Sequence, residues 1–148
     1  CTCVKAKEAD EIDIEKYDVI LYGGGFYGGQ IQGIAWLKNR IPRLKGKRTA
    51  VFATGATPKD SPEVEKAFAQ NLTEEERQAI PCFYLQSGLN YEQMDWKLRM
   101  MMKLFTKMME KKKDKTEQEK MMAARLKTSF DVADKNNLEP LLHWIMEQ

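Results

Sequence analysis

Val19-Ile20-Leu21-Tyr22-Gly23-Gly24-Gly25-Phe26-Tyr27-Gly28-Gly29 orders the rest of the chain around it. Strand-forming residues empty into a glycine-rich loop that holds two aromatic rings, and a helical pattern from Ile31 to Leu37 follows. That order places pliable, closely approachable backbone at the carboxyl end of a parallel strand, where open α/β sheets bind their ligands. A planar or phosphorylated ligand is the expectation.

Two further strands follow this one in sequence. Thr49 to Ala53 is entered through Lys45-Gly46-Lys47 and left through Thr54-Gly55-Ala56-Thr57-Pro58. Cys82 to Leu85 is opened by Pro81 and closed by Gln86-Ser87-Gly88. The strand that opens this order is Asp18 to Tyr22, preceded by a scrap of edge strand at Cys3-Val4 and an acidic connector from Glu8 to Glu15. Apolar strands that do not alternate cleanly, separated by helical stretches, predict an α/β fold with a parallel sheet covered on both faces.

The helices carry their own signals. Ile31, Ile34, Ala35 and Leu37 begin one; Pro62, Val64 and Phe68 belong to another near Ser61; Thr73-Glu74-Glu75-Glu76 is a capping-box pattern whose helix ends by Ile80. From Glu92 to about Lys112 the pattern is long, with Met94, Leu98, Met101, Met102, Phe105, Met108 and Met109 near one stripe. Methionines at this spacing ordinarily fill irregular core gaps. A methionine-rich face flanked by lysines also suits a partner or a membrane surface. Met121 to Leu126 and Leu138 to Met146 resume helical patterns, the last with Pro140 in its first turn and a place against the sheet.

With 148 residues the chain reads as one domain, 1–148, carrying a long charged helical region at about 92–127. A net charge of +2 is too weak to imply nucleic acid, and no nucleic-acid-binding signature supports it. Cys1, Cys3 and Cys82 form no regular framework, which fits a reduced, cytoplasmic protein. No apolar run approaches the roughly 20 residues that span a bilayer, and no signal-peptide pattern is present.

Candidate chemistry concentrates at the strand ends. No G-x-G-x-x-G with its acidic ribose ligand and no G-x-x-x-x-G-K-[ST] occurs. Gly24, Gly25, Phe26, Tyr27 and Gly28 offer close backbone and rings on which a flat cofactor stacks, while Thr54, Gly55, Ala56, Ser87 and Gly88 offer hydroxyls and open amides at the neighbouring strand ends. His143 reads as a helix residue rather than a ligand, Cys82 as a buried small hydrophobe, and Ser87 lacks the nucleophile elbow. Hydrolysis is the weaker class, because redox chemistry borrowed from a bound flavin needs no acid, base or nucleophile from the protein.

At these loops the chain resembles a flavodoxin-like FMN domain. Tyr17 to Gly29 resembles that family's central strand and flavin-ring loop, and Ala50-Val51-Phe52-Ala53-Thr54-Gly55 the next strand and second ring-contacting loop. Phe83 to Tyr91, followed by Trp96, Lys97, Leu98 and Arg99, is similar to the branch containing quinone-dependent protoporphyrinogen dehydrogenase. The resemblance implies FMN-dependent electron transfer or oxidoreduction in the complete protein, with a redox partner protein or small-molecule substrate; a protoporphyrinogen dehydrogenase-like enzyme and a nonenzymatic interaction module are the alternatives. It also implies a first strand and an FMN-phosphate loop ahead of Cys1, and nothing in the sequence matches either. Peripheral membrane contact and self-association are further expectations, the latter through an unpaired strand.

Overall fold

A computed structural model describes residues 1–147. Four strands, β1 (Val19–Tyr27), β2 (Gln30–Ile31), β3 (Arg48–Gly55) and β4 (Cys82–Gln86), form one sheet in the order β2-β1-β3-β4. The three long strands are parallel, with Tyr22 level with Val51 and Phe52 level with Phe83. The helices are α1 (Ala35–Lys38), α2 (Pro62–Asn71), α3 (Glu74–Ala79), α4 (Trp96–Lys111), α5 (Glu117–Arg125) and α6 (Glu139–Met146).

The main core lies on one side of the sheet. Tyr22, Val51 and Ala53 meet Leu37, Val64, Phe68 and Leu72 there, and Leu37 and Val51 are wholly buried. Apolar residues of α2 at positions 64, 67 and 68 recur at helical spacing, and Ser61 caps the helix by accepting from the Glu63 amide at 3.4 Å. The predicted capping box is present at α3: the Glu76 amide donates to Thr73 Oγ1 at 3.2 Å, and the Thr73 amide to Glu76 Oε2 at 2.9 Å. On the opposite side of the sheet, α6 packs Trp144 against Phe83, with ring centroids 6.1 Å apart, and Arg48 donates to the Trp144 and Ile145 carbonyls. Cover on that side is partial, since Leu21 of β1 stays 39% exposed.

Three expectations in the first part of the chain are corrected. Cys3-Val4 forms no strand, while the acidic connector after it is two short 3₁₀ turns that bury Ala9 and Ile14. The glycine run is strand rather than loop as far as Tyr27, because Gly23 to Gly25 pair along β3. Gly28 and Gly29 then take φ of 57° and 80°, the left-handed geometry of a tight hairpin turn, and β2 returns antiparallel against Phe26 and Tyr27. Ile31 is therefore spent in the hairpin, and the helix starts only at Ala35.

Beyond that hairpin the outer edge of β1 from Val19 to Gly23 has no strand beside it among the described residues. At the other end of the chain, α4 starts later than expected, at Trp96, where Asp95 Oδ1 accepts from the Leu98 amide at 2.8 Å. Its predicted stripe divides: Leu98, Met102 and Met109 are half-buried, whereas Met101, Phe105 and Met108 are exposed.

Candidate functional site

Parallel pairing brings the predicted strand ends side by side. Gly25 is level with Thr54, Thr54 with Leu85, and Gly55 with Gln86. Neighbouring strands lie about 4.8 Å apart, so Gly25, Thr54 and Leu85 make a rim about 10 Å wide. Three hydrogen bonds fix the loops of that rim to each other. The Ser87 amide donates to the Gly55 carbonyl at 2.8 Å, the Lys59 amide to Gln86 Oε1 at 3.1 Å, and Tyr84 Oη to the Thr57 carbonyl at 2.8 Å.

The predicted residues divide by where they face. Tyr27 stands at the rim, 41% exposed, and its ring is 3.1 Å from where a Gly25 side chain would begin, with Thr54 Oγ1 at 3.8 Å. Gly25, Tyr27, Thr54, Gly55, Ala56 and Ser87 thus gather in one place, with the exposed Gly28 turn next to them. Gly24 instead lies against the hairpin, since a Cβ there would meet the Gln32 carbonyl oxygen at 2.8 Å. Phe26 turns to the core, edge-on to Phe68 at 5.1 Å and near Tyr84 at 5.9 Å. It backs the rim from beneath: Phe26 Cβ is 3.6 Å from where a Gly55 side chain would begin. Gly88 is closed off by the chain itself, because a Cβ there would sit 1.9 Å from the Phe130 carbonyl oxygen.

One residue that holds the rim was not read from the sequence. Asn71 is buried at the end of α2. Its Oδ1 accepts from the Ile31 amide at 2.9 Å, while its Nδ2 donates to the Gly29 and Ala67 carbonyls at 2.7 and 2.6 Å. The helix thereby clamps both sides of the hairpin turn that presents Tyr27 and Gly28. A signal existed, since Asn71 falls seven residues after Val64 on the apolar stripe of α2, where a polar residue needs partners.

Electrostatically the rim is quiet. Burial pushes the Tyr84 phenol up to about 12, and pushes the Cys82 thiol up to about 11, so both are protonated and uncharged near neutrality. A cavity of about 350 Å³ opens beside them, lined by Lys59, Ser61, Phe68, Cys82 and Tyr84 among others; it contains none of the predicted rim residues. His143 is exposed on α6 and lies 3.0 Å from Glu147, far from any role at the rim.

The flavodoxin domain family's profile matches residues 1–116, which takes in β1 to β4, the rim and α4. The chain belongs to the flavodoxin domain family. No curated protein and no solved structure matches it. The flavodoxin match carries the family's general function, FMN binding and electron transfer with a redox partner or substrate, and names no reaction. At the rim the Tyr27 ring lies over Gly25 with Thr54 Oγ1 beside it, a second hydroxyl stands at Ser87, and the flanking loops are cross-tied. Among the described residues no helix is long and apolar enough to cross a membrane.

Proposed function

We propose that this chain is the ring-binding part of an FMN-dependent electron-transfer or oxidoreductase protein. Tyr27, Gly25 and Gly28 would line one side of the flavin ring, Thr54, Gly55 and Ala56 its middle, and Ser87 its far side. The observation that carries the reading is the in-register row Gly25, Thr54 and Leu85, which sets three strand ends at one rim. Gly24, Phe26 and Gly88 serve the same site from behind, as packing around the hairpin, beneath Gly55 and against Phe130.

Bound there, FMN supplies the redox chemistry. The chain's own residues bind and orient: open amides and hydroxyls meet the polar ring edge, and Tyr27 covers a face. Gly25, Thr54, Gly55, Ala56 and Ser87 carry no titratable side chain, so these five shape and polarise the site, and the one phenol among the named rim residues is that of Tyr27. Tyr84, kept neutral by burial, adds no charge beneath it.

Titration of FMN into the full-length gene product, followed by flavin fluorescence, tests the reading. Stoichiometric binding is expected, weakened at least about tenfold by Gly25→Val, whose side chain would displace the Tyr27 ring. Absence of FMN binding by the full-length product overturns the function; binding indifferent to Gly25→Val and Thr54→Val overturns the site.

Oxidation of protoporphyrinogen with a quinone as acceptor is the narrower form of the proposal. Its support is the likeness of Phe83 to Arg99, a stretch built as one unit because Arg99 Nη2 reaches back to the Tyr91 and Met94 carbonyls at 2.6 and 3.4 Å. Protoporphyrinogen that fails to reduce the FMN-loaded protein would count against it.

A further inference from the structure

The hairpin of α4 and α5 carries an apolar surface that the described residues leave uncovered. The two helices are each other's principal neighbours. The least exposed positions of α4 are Leu98, Met102, Thr106 and Met109, one helical stripe, and α5 buries Ala123. Trp96, Met100, Leu104 and Met108 recur every four residues along a second stripe, with Met101 and Phe105 beside it; these six are 44 to 69% exposed. The helix is therefore apolar toward its partner and apolar toward solvent.

Charge borders the exposed stripe on one side. Arg99, Lys103 and Lys107 repeat at four-residue spacing next to it, and Lys97 and Lys111 lie at its ends. The single carboxylate of α4, Glu110, is held by Lys127 at 2.7 Å, which keeps it well ionised and neutralised. Near the start of the helix, Met94, Trp96, Arg99, Met100 and Lys103 line a recess of about 430 Å³, where apolar walls and two cations meet. Lysines continue past the helix at positions 112, 113 and 115.

We propose that this hairpin docks flat on an anionic lipid bilayer. Met100, Leu104 and Met108 would enter the apolar boundary, Trp96 would sit at headgroup level, and Lys103 and Lys107 would lie on lipid phosphates. At 16 residues the helix is about 24 Å long, and Arg99, Lys103 and Lys107 run along its length between the cations at its ends. A cation row along the length of a helix too short to cross is the form of a helix lying in the interface. Charge complementarity selects the anionic surface over a second copy of the chain, because mating two such faces would bring their lysine rows within a Debye length of each other. The inference stands apart from the flavin rim and does not depend on it.

Flotation of the full chain with vesicles tests it, using phosphatidylcholine alone and phosphatidylcholine mixed equally with phosphatidylglycerol. Binding to the mixed vesicles is expected, weakened by added salt and at least about tenfold by the double change Lys103→Glu, Lys107→Glu. Leu104→Gln with Met108→Gln should also release the protein, while circular dichroism melting of both variants stays at the parent value. No vesicle binding, equal binding to neutral vesicles, or binding unaffected by either pair overturns the proposal. Concentration-dependent dimerisation without vesicle binding, abolished by Leu104→Gln with Met108→Gln, would assign the face to a second copy and overturn it as well.

Discussion

The sheet half and the α4–α5 hairpin use apolar residues in opposite ways. Around β3, Ala50, Val51 and Ala53 are wholly buried, whereas on α4 the larger side chains of Trp96, Leu104 and Phe105 face outward. Periodicity is equally clear in both. It reports that a face is apolar and says nothing of what covers that face, which is a property of the remaining elements.

Truncating one leucine on each side breaks the comparison most sharply. Leu37→Ala opens a cavity beneath a fully buried position and should cost about 2–5 kcal/mol in urea unfolding. Leu104→Ala should stay within about 0.5 kcal/mol in the same measurement. Similar losses at the two sites would mean that the hairpin face is covered after all.

The hairpin clamp comes next. Asn71→Ala leaves the Ile31 amide and the Gly29 carbonyl without their partner, and should cost roughly 1–3 kcal/mol. Amide exchange at Gly28 to Ile31 should accelerate with it, while exchange in β3 keeps its order.

A smaller effect is expected in alkali. The ordinary values of the Cys82 thiol and the Tyr84 phenol are 9.0 and 10.0, and burial raises both in the folded protein, to about 11 and about 12. The folded state then holds these protons more tightly than the unfolded chain, so their contribution is complete below pH 9 and is lost as pH rises through about 11–12. Urea unfolding repeated along that range should show a downward slope, reduced by Tyr84→Phe. Partial contact of both groups with water keeps the effect modest.

The smallest is a gain. Thr49 Oγ1 is buried in β3 without a hydrogen-bond partner among the described residues, so Thr49→Val should stabilise by up to about 1 kcal/mol in thermal unfolding. A loss would show that the hydroxyl is satisfied in solution.

Much of this was legible in advance, and the exceptions share a cause. The parallel strands, the helix near Ser61, the capping box at Thr73 and the packing of α6 on the sheet all follow from local residue patterns. Gly23 to Gly25 misled because glycine favours loops locally, and only pairing with Phe52, Ala53 and Thr54 makes them strand. Phe26 and Tyr27 looked equivalent in sequence, yet strand alternation sends one to the core and the other to the rim. Gly88 gave no sign of its true neighbour, Phe130, which lies 42 residues away along the chain.

That neighbour has a topological consequence. The Leu89 amide donates to the Phe130 carbonyl at 2.7 Å and the Phe130 amide to the Leu89 carbonyl at 2.9 Å, so the stretch that leaves β4 is closed at its base by an isolated bridge. The excursion between them is a loop whose ends already touch. Doubling or halving a flexible loop changes its closure entropy by only about 0.6 kcal/mol, so the links before α4 and after α5 can vary in length while the strands beneath them keep their register.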